Sequence, residues 1–149
     1  MRVALDTNVL VRAARADSPA RAVFDRLLEP PHTFLSSAFV LDELDRAIRY
    51  PRVRRVHGLS DAEIDRYVRD IANVALLISL PSAAPTVVVR DPQDDPVVAT
   101  AVEGQANVLC TLDRDLRQPA VVAYCGQFQI RILTDVELLN ELRIAGNQA

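Results

Sequence analysis

Short apolar segments alternate with helix-like segments along the whole chain, and this alternation is the strongest restriction on its fold. Strands are predicted at residues 2–5, 33–35, 86–89, 107–111, 121–124 and 130–133. Helices are predicted at residues 8–16, 19–28, from the serines at 36 and 37 to about 49, from 60 to about 77, from 96 to 104, and from 134 or 135 onwards. Strands that alternate with crossover helices predict an α/β fold, with layers of helices around a mostly parallel sheet.

Residues that cap or stop helices support several of these boundaries. Ser18 precedes Pro19, and proline is favoured at the first position of a helix. Ser60 and Glu63 have the spacing of a capping box, in which each residue binds the backbone of the other. Pro51 predicts the end of the helix that begins after residue 37, because the residue before a proline avoids helical backbone angles.

Length and composition are typical of one globular domain, which we expect to cover residues 1–149. Half of the residues are hydrophobic and 25% are charged, but no apolar run approaches the ~20 residues of a membrane helix. Asp6 interrupts the apolar start of the chain before a signal peptide could develop. Cys110 and Cys125 are too few for a disulfide framework, and no spacing of cysteine and histidine indicates a zinc site. We therefore expect a cytoplasmic protein.

All 17 basic residues are arginines, so no mechanism that needs a catalytic or phosphate-binding lysine applies to this chain. Five of them lie in a segment of ten residues without an acid, namely Arg46, Arg49, Arg52, Arg54 and Arg55. This cluster is compatible with contacts to nucleic-acid phosphates that do not depend on sequence. It is also compatible with an ordinary solvated surface, on which Arg46 pairs with Asp42 and Arg49 pairs with Asp45.

Acidic residues stand where ligands bind in parallel sheets, at the carboxyl ends of predicted strands. Asp6 follows the first strand, Asp113 follows the strand at 107–111 with Asp115 close behind, and Asp95 precedes the helix that begins at residue 96. Glu43 lies beside the apolar stripe of its helix, where a carboxylate needs a proton, a cation or strong donors. Taken singly, each acid also has a structural interpretation, as a helix cap, a turn residue or the partner of an arginine.

Four blocks of this sequence, taken together, resemble the PIN domain, the nuclease fold of VapC-type toxins in bacterial toxin–antitoxin pairs. In chain order they are Val3-Ala4-Leu5-Asp6-Thr7-Asn8-Val9-Leu10, Leu41-Asp42-Glu43-Leu44, residues 91–101 around the doublet Asp94-Asp95, and residues 107–116 around Asp113 and Asp115. The segment 130–134 is similar to the last strand of the family. Leu112 departs from the pattern, since many members have glycine there. The resemblance implies a three-layer α/β/α fold with a central, mostly parallel sheet.

The resemblance also implies the site residues. Catalytic and metal-binding roles carry over to Asp6, Glu43, Asp95 and Asp113, with Asp115 as a further ligand or a support. Supporting roles carry over to Asn8, Thr111 and Asp94. The doublet leaves two candidates for the third ligand. Asp95 is favoured, because its spacing in sequence from Ala99 and Ala101 is similar to that in the family. The family further implies an RNA substrate, an antitoxin that covers the acidic crevice, and a homodimer.

Carboxylate oxygens without histidine or cysteine suit Mg²⁺ or Mn²⁺ better than zinc. One or two such ions would activate water and stabilise the leaving oxygen during hydrolysis of a phosphodiester, without a histidine base. The histidines, His32 and His57, lie outside the acidic blocks and receive no catalytic role. The alternative is a catalytically silent PIN-like module that binds RNA or a partner protein. A receiver domain would need a lysine, and the four glycines form no nucleotide-binding loop.

Overall fold

The structure, a computed structural model, describes residues 1–82, 87–88 and 94–147, and its centre is a parallel sheet. The strands of this part of the chain are β1 (Arg2–Leu5), β2 (Thr33–Ser36), β3 (Leu76–Leu77), β4 (Val108–Cys110) and β5 (Arg131–Leu133). They lie in the order β3-β2-β1-β4-β5, and every neighbouring pair is parallel. The predicted parallel sheet is therefore confirmed.

Helices cover both faces of this sheet. They are α1 (Thr7–Ala13), α2 (Pro19–Leu27), α3 (Ala38–Ala47), α4 (Pro51–His57), α5 (Asp61–Val74), α6 (Asp95–Glu103), α7 (Pro119–Gly126) and α8 (Asp135–Asn147), with a short 3-10 helix at Asp115–Arg117. Along the sheet, the connection from β1 to β2 runs towards one edge, and the connection from β3 to β4 runs towards the other edge. Because such connections are right-handed, α1 and α2 lie on one face of the sheet and α6 lies on the opposite face. This arrangement confirms the three-layer α/β/α fold. No helix within the described ranges is long and apolar enough to span a membrane.

The central strand β1 explains why the chain opens with an apolar run. Val3, Ala4 and Leu5 are fully buried, as expected for a strand that has neighbours on both edges and helices on both faces. Ala4 pairs with Leu35 of β2 on one side and with Leu109 of β4 on the other. The first polar side chain after β1 therefore emerges at the carboxyl edge, in the middle of the sheet.

The predicted helix caps are confirmed. The Ser18 hydroxyl accepts a hydrogen bond from the backbone N–H of Arg21 at 3.1 Å, and Pro19 is the first residue of α2. Ser60 and Glu63 form the complete capping box at the start of α5. These contacts satisfy backbone donors that have no partner within the helix, so they fix where each helix begins.

The prediction of a strand at Val121–Tyr124 is wrong, because this segment lies inside helix α7. Proline at position 119 begins this helix, and burial follows the helical period: Val121 and Cys125 are buried, whereas Val122 is exposed. Short apolar runs do not distinguish a strand from a helix by their pattern alone.

The region between Pro51 and Val88 also differs from the prediction. Pro51 does follow the end of α3, but it begins the additional helix α4. Helix α5 ends at Val74, three residues earlier than predicted, since Leu76 and Leu77 pair with Leu35 and Ser36 as strand β3. Of the predicted strand at 86–89, the structure describes only residues 87 and 88, which are not in a strand.

Candidate active site

The candidate site lies at the carboxyl edge of the sheet, where β1 and β4 end side by side. Leu5 pairs with Cys110, and the backbone N–H of Asp6 donates to the Cys110 carbonyl at 2.9 Å. The next residue after β4 is Thr111, which therefore stands beside Asp6. Two segments that are about a hundred residues apart in sequence meet at this point.

Asp6 is buried at this edge, with 5% of its surface exposed. One carboxylate oxygen accepts the backbone N–H of Thr7 at 2.7 Å, which caps helix α1, and the other accepts the Thr111 hydroxyl at 2.7 Å. Burial raises the pKa of Asp6 to about 6; the two hydrogen bonds lower it, and the negative charges of Asp113 and Glu43 raise it further. The Asp6 side chain therefore caps α1 and is also tied to the end of β4.

Glu43 reaches the site from the middle of α3. Its neighbours Val40 and Leu44 are buried in the core, so Glu43 lies at the margin of the buried face, while Asp42 is exposed. The Thr7 hydroxyl donates to a Glu43 carboxylate oxygen at 3.0 Å. Thr7 therefore links α3 to the start of α1, next to Asp6.

The loop after β4 is fixed by successive hydrogen bonds to its own side chains. The backbone N–H of Asp113 donates to the Thr111 hydroxyl at 3.0 Å, and the N–H of Asp115 donates to an Asp113 oxygen at 2.9 Å. The amide oxygen of Asn8 accepts the N–H of Leu112 at 3.4 Å, which ties this loop to α1. Asn8 and Thr111 thus hold the segment that carries Asp113 and Asp115.

The two members of the acidic doublet occupy different environments. One Asp95 oxygen accepts the backbone N–H groups of Val87 at 2.8 Å and Val88 at 2.7 Å, and the side chain borders a small cavity of about 30 Å³ beside Tyr124. Asp94, immediately before α6, borders the same cavity as Asp6, Glu43 and Asp113. The structure therefore brings Asp94 to the site, whereas the Asp95 carboxylate holds the segment at residues 87 and 88.

The acids converge on an open cavity of about 320 Å³, which we call the acid cavity. Asp6, Glu43, Asp94 and Asp113 line it together with Thr7, Asn8 and Arg52. Carboxylate oxygens of Asp94, Asp113 and Asp115 lie within 4.8 Å of one another. Carboxylates this close repel unless a proton or a cation compensates them, and a donor set of oxygens alone fits Mg²⁺ or Mn²⁺.

The five clustered arginines have different surroundings. Arg49 pairs with Asp45 at 2.8 Å and with Asp65 at 2.6 Å, and Arg54 pairs with Asp61. These contacts join α3 and α4 to α5. Arg46 and Arg55 are exposed, and Arg52 borders the acid cavity.

A buried carboxylate at the end of β5, Asp135, was not among the predicted site residues. Its side chain is 2% exposed, and Arg12 of α1 approaches it at 3.9 Å. Thr134 is the residue that caps α8, since its hydroxyl accepts the N–H of Glu137 at 3.3 Å. The sequence signal is present, because Asp135 follows a strand end as Asp6 and Asp113 do, but the sequence predicts for residues 134 and 135 only the start of the last helix.

Comparison with known proteins agrees with this architecture. A family model described as the PIN domain matches residues 2–115, which is more than half of the chain. Among solved structures, FitAcB from Neisseria gonorrhoeae is 17% identical, with a TM-score of 0.53, over 89% of this chain and 97% of that one, and this likeness shows a common fold. A search of curated proteins found no match. The chain belongs to the PIN-domain family.

Proposed function

We propose that the protein is a metal-dependent endoribonuclease and the toxin of a toxin–antitoxin pair, formed by a single PIN domain over residues 1–149. The observation that carries this proposal is the acid cavity, where Asp6, Glu43, Asp94 and Asp113 meet from four separate segments of the chain. A structural role for each acid taken singly does not explain why four of them share one cavity, because their mutual repulsion is unfavourable.

Asp6, Glu43, Asp94 and Asp113 are the metal-binding residues in this proposal, with Asp115 as a further ligand or a support. The assignment of Asp94 in place of Asp95 rests on the two hydrogen bonds that Asp95 accepts from Val87 and Val88. Mg²⁺ or Mn²⁺ bound there would lower the pKa of a water molecule and neutralise the charge of the scissile phosphate.

The protein's own contribution is to hold the carboxylates in place before substrate binds. Thr7 connects Glu43 to the start of α1, and Thr111 connects Asp6 to the loop that carries Asp113. Outer hydrogen bonds of this kind orient metal ligands. Arg52 at the rim supplies positive charge for a phosphate, which a cavity lined by acids otherwise repels.

The partners follow from the resemblance to VapC-type toxins. We propose a cognate antitoxin that covers the acid cavity, a homodimer, and action on RNA in the cytoplasm.

The test is cleavage of end-labelled single-stranded and structured RNA by the purified full chain in Mg²⁺, Mn²⁺ or EDTA. We expect EDTA, Asp6→Asn and Asp94→Asn each to reduce cleavage by on the order of 100-fold or more. Loss of a metal ligand should lower activity more than loss of a residue that only hydrogen-bonds to a ligand. Asp42→Asn, on the exposed side of α3, is the matched control and should cleave as the unchanged protein does.

Asp95→Asn separates the two members of the doublet, because an amide oxygen can still accept the hydrogen bonds from Val87 and Val88. We expect this variant to retain most of its activity. If Asp95→Asn abolishes cleavage while Asp94→Asn does not, Asp95 is the ligand and our assignment is wrong. Binding of Mn²⁺ and RNA without any cleavage would instead identify a silent PIN-like module.

A further inference from the structure

A second and larger cavity adjoins the acid cavity. It has a volume of about 540 Å³ and lies between α1 and α4; we call it the arginine groove. Asn8, Val11, Arg52 and Val53 line both cavities, so the two lie side by side and share these residues as a wall. The volume is within the range of about 300–1,000 Å³ that is usual for sites of small organic ligands.

We propose that the arginine groove binds one unpaired nucleotide of a single-stranded RNA, next to the phosphate that enters the acid cavity. This inference rests on the proposed function and adds to it a binding site beside the acid cavity. It also assigns a role to Arg12 and His57, for which the sequence suggested none.

Charge at the groove favours an anionic ligand. Among the described residues, Arg12, Arg15 and Arg52 line it together with one acid, Asp17. Arg15 pairs with Asp17 on the surface, and Arg12 is 3.9 Å from the buried Asp135, whereas Arg52 has no ion pair within the described residues. Arg52 lies on the wall that both cavities share, where it would contact the phosphate between the bound nucleotide and the cleaved position.

The apolar part of the groove favours a base. Val53, Val56 and Leu112 line it, and Val56 is 62% exposed although it is a large aliphatic residue. An unpaired base has two apolar faces that such a surface can cover, while the paired bases of a duplex are already stacked on each other.

His57 gives the groove a flat ring that is fixed in place. Its Nε2 is 2.9 Å from the Ile48 carbonyl, and its Nδ1 accepts the N–H of Leu59 at 3.0 Å. Because Nδ1 accepts a hydrogen bond, Nε2 carries the proton and donates to Ile48. Both nitrogens are hydrogen-bonded to the backbone, so stacking on the ring is the contact that His57 can offer to a base in the groove.

The test is the affinity of a short fluorescein-labelled single-stranded RNA, measured by fluorescence anisotropy in EDTA at several NaCl concentrations. The same RNA annealed to its complement is the second ligand. We expect the single strand to bind more tightly than the duplex. Arg52→Gln should weaken binding and reduce the slope of log K against log salt by about 0.7, the value for one phosphate contact on a single strand. Arg12→Gln should weaken binding in the same direction.

The base contact is tested by a pair of variants at one position. His57→Leu should raise the Kd roughly five-fold or more, while His57→Phe, which keeps a flat ring, should raise it less. Arg69→Gln is the control for charge, since Arg69 is exposed on α5 and lines neither cavity. Thermal unfolding of each variant identifies any loss of affinity that is due to loss of fold. Arg52 is exposed, so the Arg52→Gln variant still tests the groove if the His57 variants do not fold.

The proposal is overturned if the full chain does not bind the single strand, or if the duplex binds equally well. It is also overturned if Arg52→Gln, Arg12→Gln and His57→Leu all bind the single strand as tightly as Arg69→Gln does. That result would favour a protein as the ligand of the groove. Because EDTA prevents metal-dependent cleavage, the result is separate from the proposed activity. If the variants bind RNA more weakly but the unchanged protein never cleaves RNA, the nucleotide site in the groove is supported and the proposed nuclease activity is refuted.

Discussion

Asp6→Asn should stabilise the metal-free protein at neutral pH, although it removes a central residue of the candidate site. Burial raises the pKa of Asp6 from 3.8 to about 6. A raised pKa means that the protonated carboxyl favours the folded state below about pH 4, and that this contribution is lost as the pH rises through about 6. The size of the shift corresponds to about 3 kcal/mol at pH 7.5.

The amide introduced by Asp6→Asn has no such cost because it does not ionise, and it can keep both hydrogen bonds. Its oxygen can accept the N–H of Thr7, and its NH₂ group can donate to the Thr111 hydroxyl, which rotates. Neutral hydrogen bonds are weaker than those to a carboxylate, so we expect a net gain of about 1–3 kcal/mol in the free energy of unfolding. For a chain of this length that is a rise in Tm of roughly 3–10 °C.

The assay is urea unfolding in EDTA at a series of pH values between 4 and 8, with Asp42→Asn as the control for loss of one exposed carboxylate. The difference in free energy between Asp6→Asn and the unchanged protein should grow from near zero at pH 4 to its full value above pH 6. A variant that is less stable at pH 7.5, or a difference that does not change with pH, would refute the reasoning. Addition of Mg²⁺ should then stabilise the unchanged protein more than the variant, since only a ligand that binds the folded state shifts unfolding.

Three further predictions concern the surroundings of the site. Thr111→Val removes the hydroxyl that joins Asp6 to the N–H of Asp113 and should reduce RNA cleavage by roughly 10- to 100-fold, as measured by initial rates, while Thr111→Ser should retain most of it. Asp95→Ala leaves two backbone N–H groups without their acceptor and should lower the free energy of unfolding by about 1–3 kcal/mol, whereas Asp95→Asn should lower it less. Cys110 and Cys125 are buried, and burial raises the pKa of both thiols, that of Cys125 to about 11. Neither thiol should react with a thiol reagent at pH 8 until the protein is unfolded. Rapid reaction of the folded protein would contradict this prediction.

Structure could be predicted from the sequence where the signal is local. The burial of β1 follows from its three apolar residues, and the capping box of α5 from two side chains in one turn, so both could be predicted. Strand β3 could not, because Leu76 and Leu77 extend the apolar pattern of α5. Only their pairing with Leu35 and Ser36 of β2 makes them a strand, and that contact is not visible from the local sequence.

The doublet Asp94-Asp95 shows the same limit within the candidate site. A family pattern identifies the acidic block, but adjacent residues at the start of a helix direct their side chains differently, and a shift of one residue exchanges their environments. Here the difference is set by the backbone N–H groups of Val87 and Val88, which one carboxylate accepts. The position of that segment results from the folded chain and not from the acidic block itself.

The arginine cluster shows why charge along the sequence is a poor guide to charge in space. The segment from Arg46 to Arg55 contains no acid, yet Asp65 and Asp61 of α5 reach across to Arg49 and Arg54, while Asp45 precedes it by one residue. Of the five arginines, Arg52 is the one that borders the acid cavity. Its companions in the arginine groove, Arg12 and Arg15, come from a part of the chain some forty residues away that no sequence window would join to it. Any attraction of RNA to the site is therefore expected to depend on this group assembled by the fold, and substitutions at Arg49 or Arg54 should affect the packing of α4 on α5 more than the binding of a polyanion.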